Sequence, residues 1–274
     1  MSDWLESPAH AKVNLALVVG PLREDDKHEV VTVLERLSLA DTIAVRRGRA
    51  THVEGFADDT LVGAALEALG STAGTRFEAR IEKRIPVASG LGGGSSDAAT
   101  ALRLANALLD APLDDGRLHA IAAGLGSDVP FFLRDGAQVG TGDGTTLETV
   151  VLPRDYTVLL VLPPSGTKRA TADVYRAFDE RGGADGFPAR AAELRDALAS
   201  IDSLADLARL PPNDLTTSSL AATLLERGAV RADVSGAGPV VYGLFADPEH
   251  ARATGRRLPI RASWVVAPAE RDCR

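Results

Sequence analysis

The stretch PVASGLGGGSSDAATAL, from Pro86 to Leu102, places four glycines in five positions (Gly90, Gly92, Gly93 and Gly94) and then passes at once into an alanine-rich run. Glycine at that density removes the Cβ atoms that would hold the backbone in one basin, so the segment is a close-fitting loop rather than a strand or helix interior. The run behind it, Asp97 to Leu109, has the pattern of a helix with a buried face, ended before Pro112. A turn of this kind leading into a helix brings bare N–H groups together where the helix dipole adds partial positive charge, which makes an anion site. Ser95 and Ser96 stand where an N-cap is expected and offer hydroxyls to a phosphate or a Mg2+ ion. A flexible turn with an ordinary cap is the alternative. Neither GxxxxGK[ST] nor GxGxxG is present, so the loop is not a P-loop or a dinucleotide fingerprint.

Upstream, HAKVNLALVVG alternates as a strand does: Ala11, Val13, Leu15, Leu17 and Val19 face one way, and His10, Lys12 and Asn14 the other. PLREDDK reads as a turn, followed by the strand-like segments HEVVTVLERLSL and DTIAVRR. A helix is expected from Asp59 to Leu69, with Asp58 as N-cap and Gly70 as C-cap, and then a strand in TRFEARIEKRI. After the glycine loop a second helix spans about Asp114 to Ala123 and stops at Gly124, and GAQVGTGDGTTLETVVL forms two short strands around a Gly-Asp-Gly turn.

The apolar run Tyr156 to Leu162 follows Pro153, and the domain boundary is placed there, giving residues 1–153 and 154–274. The second half reads as helices at Thr171–Arg181, Ala189–Ala199, Ser203–Leu210, Ser218–Arg227 and Pro248–Arg257. Strands are expected at Val230–Val234, Val240–Phe245 and Ala262–Val266. Both halves are α+β.

Composition narrows the function. A formal charge of -8 with 4% aromatic residues argues against a nucleic-acid surface and for small-molecule partners. There is no apolar run of membrane length, and the N-terminus has no signal-like pattern, which points to the cytoplasm and away from membranes. Cys273, the one cysteine, excludes an intrachain disulfide or a cysteine metal cluster. Only four of the thirty cationic residues are lysines (Lys12, Lys27, Lys83 and Lys168), so a lysine inside an apolar strand such as Lys12 attracts notice.

The pattern P-x-x-x-G-L-G-G-G-S-S-D-A-A resembles the phosphate loop of the GHMP kinases. With AHAKVNLAL, GSDVPFF (Gly126 to Phe132) and SGAGP (Ser235 to Pro239), the chain is most similar to the kinases of 4-diphosphocytidyl-2-C-methyl-D-erythritol, in order and spacing along essentially its whole length. The resemblance implies a two-domain GHMP kinase fold: an N-terminal ATP-binding domain like domain 2 of ribosomal protein S5, and a ferredoxin-like C-terminal domain. It implies transfer of the γ-phosphoryl group of ATP to the 2-hydroxyl of that alcohol. The family's ATP phosphates would lie on Pro86, Gly90, Leu91, Gly92, Gly93, Gly94, Ser95 and Ser96, with Ser96 as a Mg2+ contact. Asp128 would accept or orient the proton of the attacking hydroxyl, and Lys12 would stabilise charge on the transferred group. Read as residues alone, Asp128 can equally cap the turn before Pro130, and Lys12 can be a surface lysine.

Asn14, Lys27, His28 and Thr171 fall on the substrate side, His28 where the family's histidine reads the cytosine. The family's tract there is close to DGYHE. This chain has Asp26 and Lys27 in place of glycine and the stacking tyrosine, and Ala170 in place of a serine, leaving Thr171 as helix N-cap. Gly236 and Gly238 form a turn that supports the glycine loop or touches ligand, and Asn213-Asp214 brace a helix start. A GHMP kinase acting on another small alcohol and an idle nucleotide-binding regulator are the other readings. The chain is expected to be a monomer or a homodimer.

Overall fold

The computed structural model describes residues 3–57, 59, 61–164 and 170–270, so Asp58, Lys168 and Cys273 lie outside the described residues. The chain forms two compact units. One gathers residues 1–11, 39–87 and 92–135, the other residues 12–38, 88–91 and 136–274. Strands β1 (Leu5–Leu22) and β2 (His28–Gly48) pair with each other. The two strand-like segments after the first turn prove to be one strand of 21 residues. Each half of β2 satisfies its backbone with a different partner, so Ser38 to Ala40 do not have to end it.

In the first unit, the C-terminal half of β2 pairs antiparallel with β4 (Arg76–Glu82), which runs parallel to the short β3 (His52–Glu54). Alternation in β4 buries Phe77, Ala79 and Ile81 and leaves Arg76, Glu78, Arg80 and Glu82 on the other face. Helices α1 (Leu61–Ala73), α2 (Gly93–Ala107) and α3 (Asp115–Leu125) and a 3-10 turn, Pro130–Leu133, pack together. Asp59 bonds the N–H groups of Val62 (3.1 Å) and Gly63 (3.0 Å) at the start of α1. Gly70 is not the C-cap. It is buried within the helix, because a Cβ there would lie 2.4 Å from the Thr75 carbonyl; the helix runs on to Ala73 and is followed by Gly74 at φ +65°. Asp114 caps α3 through the Arg117 N–H (2.9 Å), and α3 continues past Gly124 to Leu125.

In the second unit, the N-terminal half of β2 pairs with β5 (Ala137–Gly142), which forms a hairpin with β6 (Thr146–Val150). Asp143 holds the turn by accepting from the Thr145 N–H (3.1 Å) and hydroxyl (2.6 Å). There follow β7 (Thr157–Leu162), α4 (Thr171–Glu180), α5 (Phe187–Leu198), α6 (Leu204–Leu207), α7 (Ser219–Glu226), β8 (Arg231–Val234), β9 (Val241–Phe245), α8 (Pro248–Arg256) and β10 (Ala262–Val266). The four strands form an antiparallel sheet in the order β10-β7-β9-β8. A β-α-β-β-α-β path with that order is the ferredoxin-like arrangement expected from the sequence. Leu159, Val161, Leu224, Val241 and Phe245 form its core. No described helix is long and apolar enough to cross a membrane.

Glu35 of β2 is 1% exposed, and its Oε1 has no hydrogen-bond partner among the described residues. Burial pushes its carboxyl up to about 7, against the pull of Arg154 and Arg36. Between about pH 4 and the folded value, the folded chain therefore holds a proton that the unfolded chain has released, and stability falls as pH rises through that window. Thermal melts at about pH 5 and about pH 8 are expected to show a smaller fall for Glu35→Gln than for the unaltered chain. Equal falls would remove Glu35 as a source of the slope.

Candidate active site

In the second unit, β1 carries Lys12 and Asn14 on the face opposite Val13 and Leu15, yet none of the four is left to solvent. Lys12 is 3% exposed, so it is not a surface lysine. Its ammonium donates to Asn14 Oδ1 (2.6 Å), Asn14 Nδ2 donates to the Thr32 hydroxyl (2.9 Å), and that hydroxyl donates to the Ala16 carbonyl (2.8 Å). A buried ammonium is costly unless its donors are used, and this relay fixes the direction of the lysine.

The SGAGP turn lies against the same residues. A Cβ on Gly236 would stand 3.3 Å from Asn14 Oδ1 and 3.6 Å from Lys12 Nζ, and at φ +55° the position favours glycine anyway. The turn also holds the start of the glycine loop. Ser235 Oγ donates to the Gly90 carbonyl (3.0 Å), Val240 N–H donates to the Ser89 carbonyl, and Lys12 N–H donates to the Leu91 carbonyl. Gly90 has φ +86°, and a Cβ there would fall 2.4 Å from the Ser235 carbonyl and 3.0 Å from that of Gly238. Asn213-Asp214 brace this assembly and not a helix start. Asn213 Nδ2 donates to the carbonyls of Val234 (2.9 Å) and Gly236 (2.7 Å), and Asp214 accepts from the Val19 N–H on β1 (2.9 Å).

In the first unit, α2 begins earlier than the sequence suggests. Gly92, at φ +72°, occupies the cap position with no side-chain bond, so Ser95 and Ser96 are third- and fourth-position residues inside the first turn rather than caps. The left-handed turn at Gly92 lets the helix start before the serines, and the first-turn N–H groups carry no side-chain cap. Gly93 permits a close approach, since a Cβ there would lie 3.1 Å from Ile85 and 3.4 Å from Lys83 Nζ.

Lys83 and its partners were not singled out from the sequence, although its rarity as a lysine was a signal. The ammonium is shared by Asp41 Oδ2 and by Asp97 Oδ2 (2.6 Å), with the carboxyls 0% and 2% exposed. Asp41 Oδ1 accepts from the N–H groups of Arg84 and Ile85 (2.8 Å to the latter), tying the segment ahead of Pro86 to β2. One ammonium serves two carboxyls. Burial works to lower Lys83, but Asp97 and Asp41 outweigh it and hold the ammonium charged, while burial leaves Asp97 a weaker acid than usual despite Lys83.

Asp128 occupies the turn between α3 and the 3-10 segment and is half-buried. Val129, not Asp128, takes the cap position of that segment, and Val129, Phe131 and Phe132 anchor the turn in the core.

Around His28 the departures from the expected tract acquire a geometry. Asp26 adopts φ +60°, the left-handed conformation for which glycine is the usual choice and which aspartate tolerates, so the turn keeps a glycine-like backbone. Lys27 Nζ sits 2.5 Å from Asp143 Oδ2 in the β5–β6 turn. Burial opposes ionisation of Asp143, but Lys27 and Thr145 outweigh it and pull the carboxyl down to about 2. His28 packs against two rings of α4, Tyr175 (centroids 4.7 Å apart) and Phe178 (5.9 Å, edge-on). Thr171 is exposed at the first helical position of α4, and Ala170 takes the cap position, its carbonyl bonding the N–H groups of Asp173 and Val174. A separate cleft of about 490 Å³ lined by Trp4, Thr42, Glu54, Arg80 and Glu82 holds none of the residues predicted from the sequence.

Residues 60–136 match the model of the N-terminal domain of GHMP kinases. A 4-diphosphocytidyl-2-C-methyl-D-erythritol kinase of Rhodococcus jostii is 40% identical over 89% of this chain and 84% of its own length. One of Pelotomaculum thermopropionicum is 38% identical over 91% and 92%. A crystal structure of 4-(cytidine 5'-diphospho)-2C-methyl-D-erythritol kinase superposes with a TM-score of 0.76 at 30% identity, covering 97% of this chain and all of that one. A mevalonate kinase of Methanococcus jannaschii shares the fold alone, with a TM-score of 0.73 at 13% identity.

Proposed function

The chain belongs to the 4-diphosphocytidyl-2-C-methyl-D-erythritol kinases, a branch of the GHMP kinases, and from that premise we propose that it moves the γ-phosphoryl group of ATP to the 2-hydroxyl of 4-diphosphocytidyl-2-C-methyl-D-erythritol, a step of non-mevalonate isoprenoid precursor synthesis, in the cytoplasm. The observation that carries the chemistry is the buried Lys12 ammonium, aimed through Asn14 and Thr32 and packed under the turn that holds Gly90. Phosphoryl transfer asks a protein for positioning and for charge neutralisation, and very little covalent work.

Residues 1–153 are taken as the nucleotide-binding module. Gly90 to Ser96 receive the phosphates: their glycines leave backbone N–H groups open, and the first turn of α2 has no side chain competing for its donors. Bound ATP supplies the phosphoryl group as its Mg2+ complex. Among the described residues no three His, Cys, Asp or Glu side chains gather into a metal cage. A Mg2+ ion would be held by the nucleotide phosphates, with the Ser96 hydroxyl as its side-chain contact.

The substrate oxygen forms its bond to phosphorus as the bond to the ADP oxygen breaks. Asp128 takes or orients the hydroxyl proton, and Lys12 stabilises the charge on the group in transit. Asn14 and Thr171 lie on the substrate side, and His28 reads the base. Lys27, engaged by Asp143, is assigned to the turn and not to substrate.

A coupled ADP-release assay with the cytidyl alcohol beside mevalonate, homoserine and galactose tests the assignment. Turnover is expected with the cytidyl compound only. Turnover with another alcohol and none with the cytidyl compound would overturn it.

A further inference from the structure

We infer that Asp179 is a positioning residue that fixes which ring nitrogen of His28 carries the proton, and that it thereby selects cytosine over uracil in the substrate. The inference rests on the reading of His28 as the residue that recognises the base. His28 Nε2 lies 2.8 Å from Asp179 Oδ1. Tyr175, Phe178 and Asp179 stand at i, i+3 and i+4 on α4 and so share one helix face, which sets two rings and a carboxylate against a single imidazole. The imidazole is 7% exposed, so its orientation is determined by these neighbours and not by water.

A carboxylate can only accept a hydrogen bond, so the bonded Nε2 must carry the hydrogen. In the neutral ring Nδ1 then holds a lone pair. Cytosine offers an amino donor at C4, where uracil offers a carbonyl acceptor. An accepting Nδ1 pairs with the first and is left facing a second acceptor by the other. A site built on one hydrogen-bond polarity rejects the opposite polarity more strongly than it rejects a small change in shape. Without Asp179 the two tautomers interchange, and the Nε2-lone-pair form presents a donor at Nδ1.

The test compares kcat/KM for the cytidine substrate and its uridine counterpart in the unaltered enzyme, Asp179→Ala, Asp179→Asn and His28→Ala, together with 15N NMR of the His28 ring in the free enzyme. The unaltered enzyme is expected to show the Nε2-protonated tautomer. Asp179→Ala is expected to show a tautomer mixture and a cytosine preference reduced about tenfold or more, with most of the loss in KM. Asp179→Asn, whose amide oxygen also accepts from Nε2–H, is expected to retain most of the preference. A preference unchanged in Asp179→Ala, or lost equally in both Asp179 variants, would overturn the inference. If Asp179→Ala keeps the preference and His28→Ala loses it, only the role of Asp179 fails. If His28→Ala also keeps it, the reading of His28 fails with it.

Discussion

Replacing Asp128 with alanine is expected to slow phosphoryl transfer by about 10²- to 10⁴-fold, the range for loss of a positioned general acid-base group, while ATP binding stays measurable. The structure favours a clean result. Asp128 sits in a turn whose apolar anchors Val129, Phe131 and Phe132 are buried, and Val129 holds the cap position of the following 3-10 segment, so the substitution leaves those anchors in place. Single-turnover ADP release and a nucleotide titration are the measurements. Asp128→Asn separates the two roles left open by residue type, because an amide can still orient the alcohol but cannot take its proton. Transfer by the asparagine variant near the unaltered rate assigns orientation, and loss equal to that of alanine assigns proton acceptance. Retained turnover in Asp128→Ala would remove the residue from the mechanism.

The second large effect is on stability. Asp41→Ala is expected to cost about 3–5 kcal/mol, the usual penalty for breaking a buried ion pair from one side. Asp41 is 0% exposed and serves three donors: the Lys83 ammonium and the N–H groups of Arg84 and Ile85. Its removal takes the acceptor from the buried Ile85 N–H and the part-buried Arg84 N–H and leaves Lys83 with Asp97 as its one remaining carboxylate partner among those described. Asp41→Asn, which keeps an accepting oxygen for the backbone, should lose less. Urea unfolding measures both, and a cost below about 1 kcal/mol for the alanine variant would mean that water replaces the carboxylate. The segment so anchored runs directly into Pro86, so ATP affinity is expected to fall along with stability.

Local order was legible in the sequence wherever the signal was local. The alternation in β4, the Gly-Asp-Gly turn between β5 and β6, the Ser203 and Ser218 starts of α6 and α7, and three of the four strands of the second sheet (β8, β9 and β10) all follow from periodicity and turn residues within a few positions. The misreadings were of two kinds. Gly70 and Gly124 read as helix stops because glycine usually follows a helix, but Gly70 is required inside α1 by the chain folding back at Thr75 just beyond the helix end, where the stop falls at Gly74 instead. Serine often caps a helix, but at the glycine loop the left-handed Gly92 has already turned the chain, so Ser95 and Ser96 lie inside the first turn.

The succession of most elements, the position of a glycine loop at a helix start, and a pattern of motifs specific enough to imply a kinase are all written in the order of the residues. Which of those residues meet is set by the folded chain. Ser235 reaches Gly90 across 145 residues, Asp179 reaches His28 across 151, and Lys83 finds Asp41 at a separation of 42. Propensity and periodicity act over a turn or a strand, whereas the position of a buried ammonium or imidazole is set by partners that chain folding brings from elsewhere, at a cost in desolvation that only those partners offset.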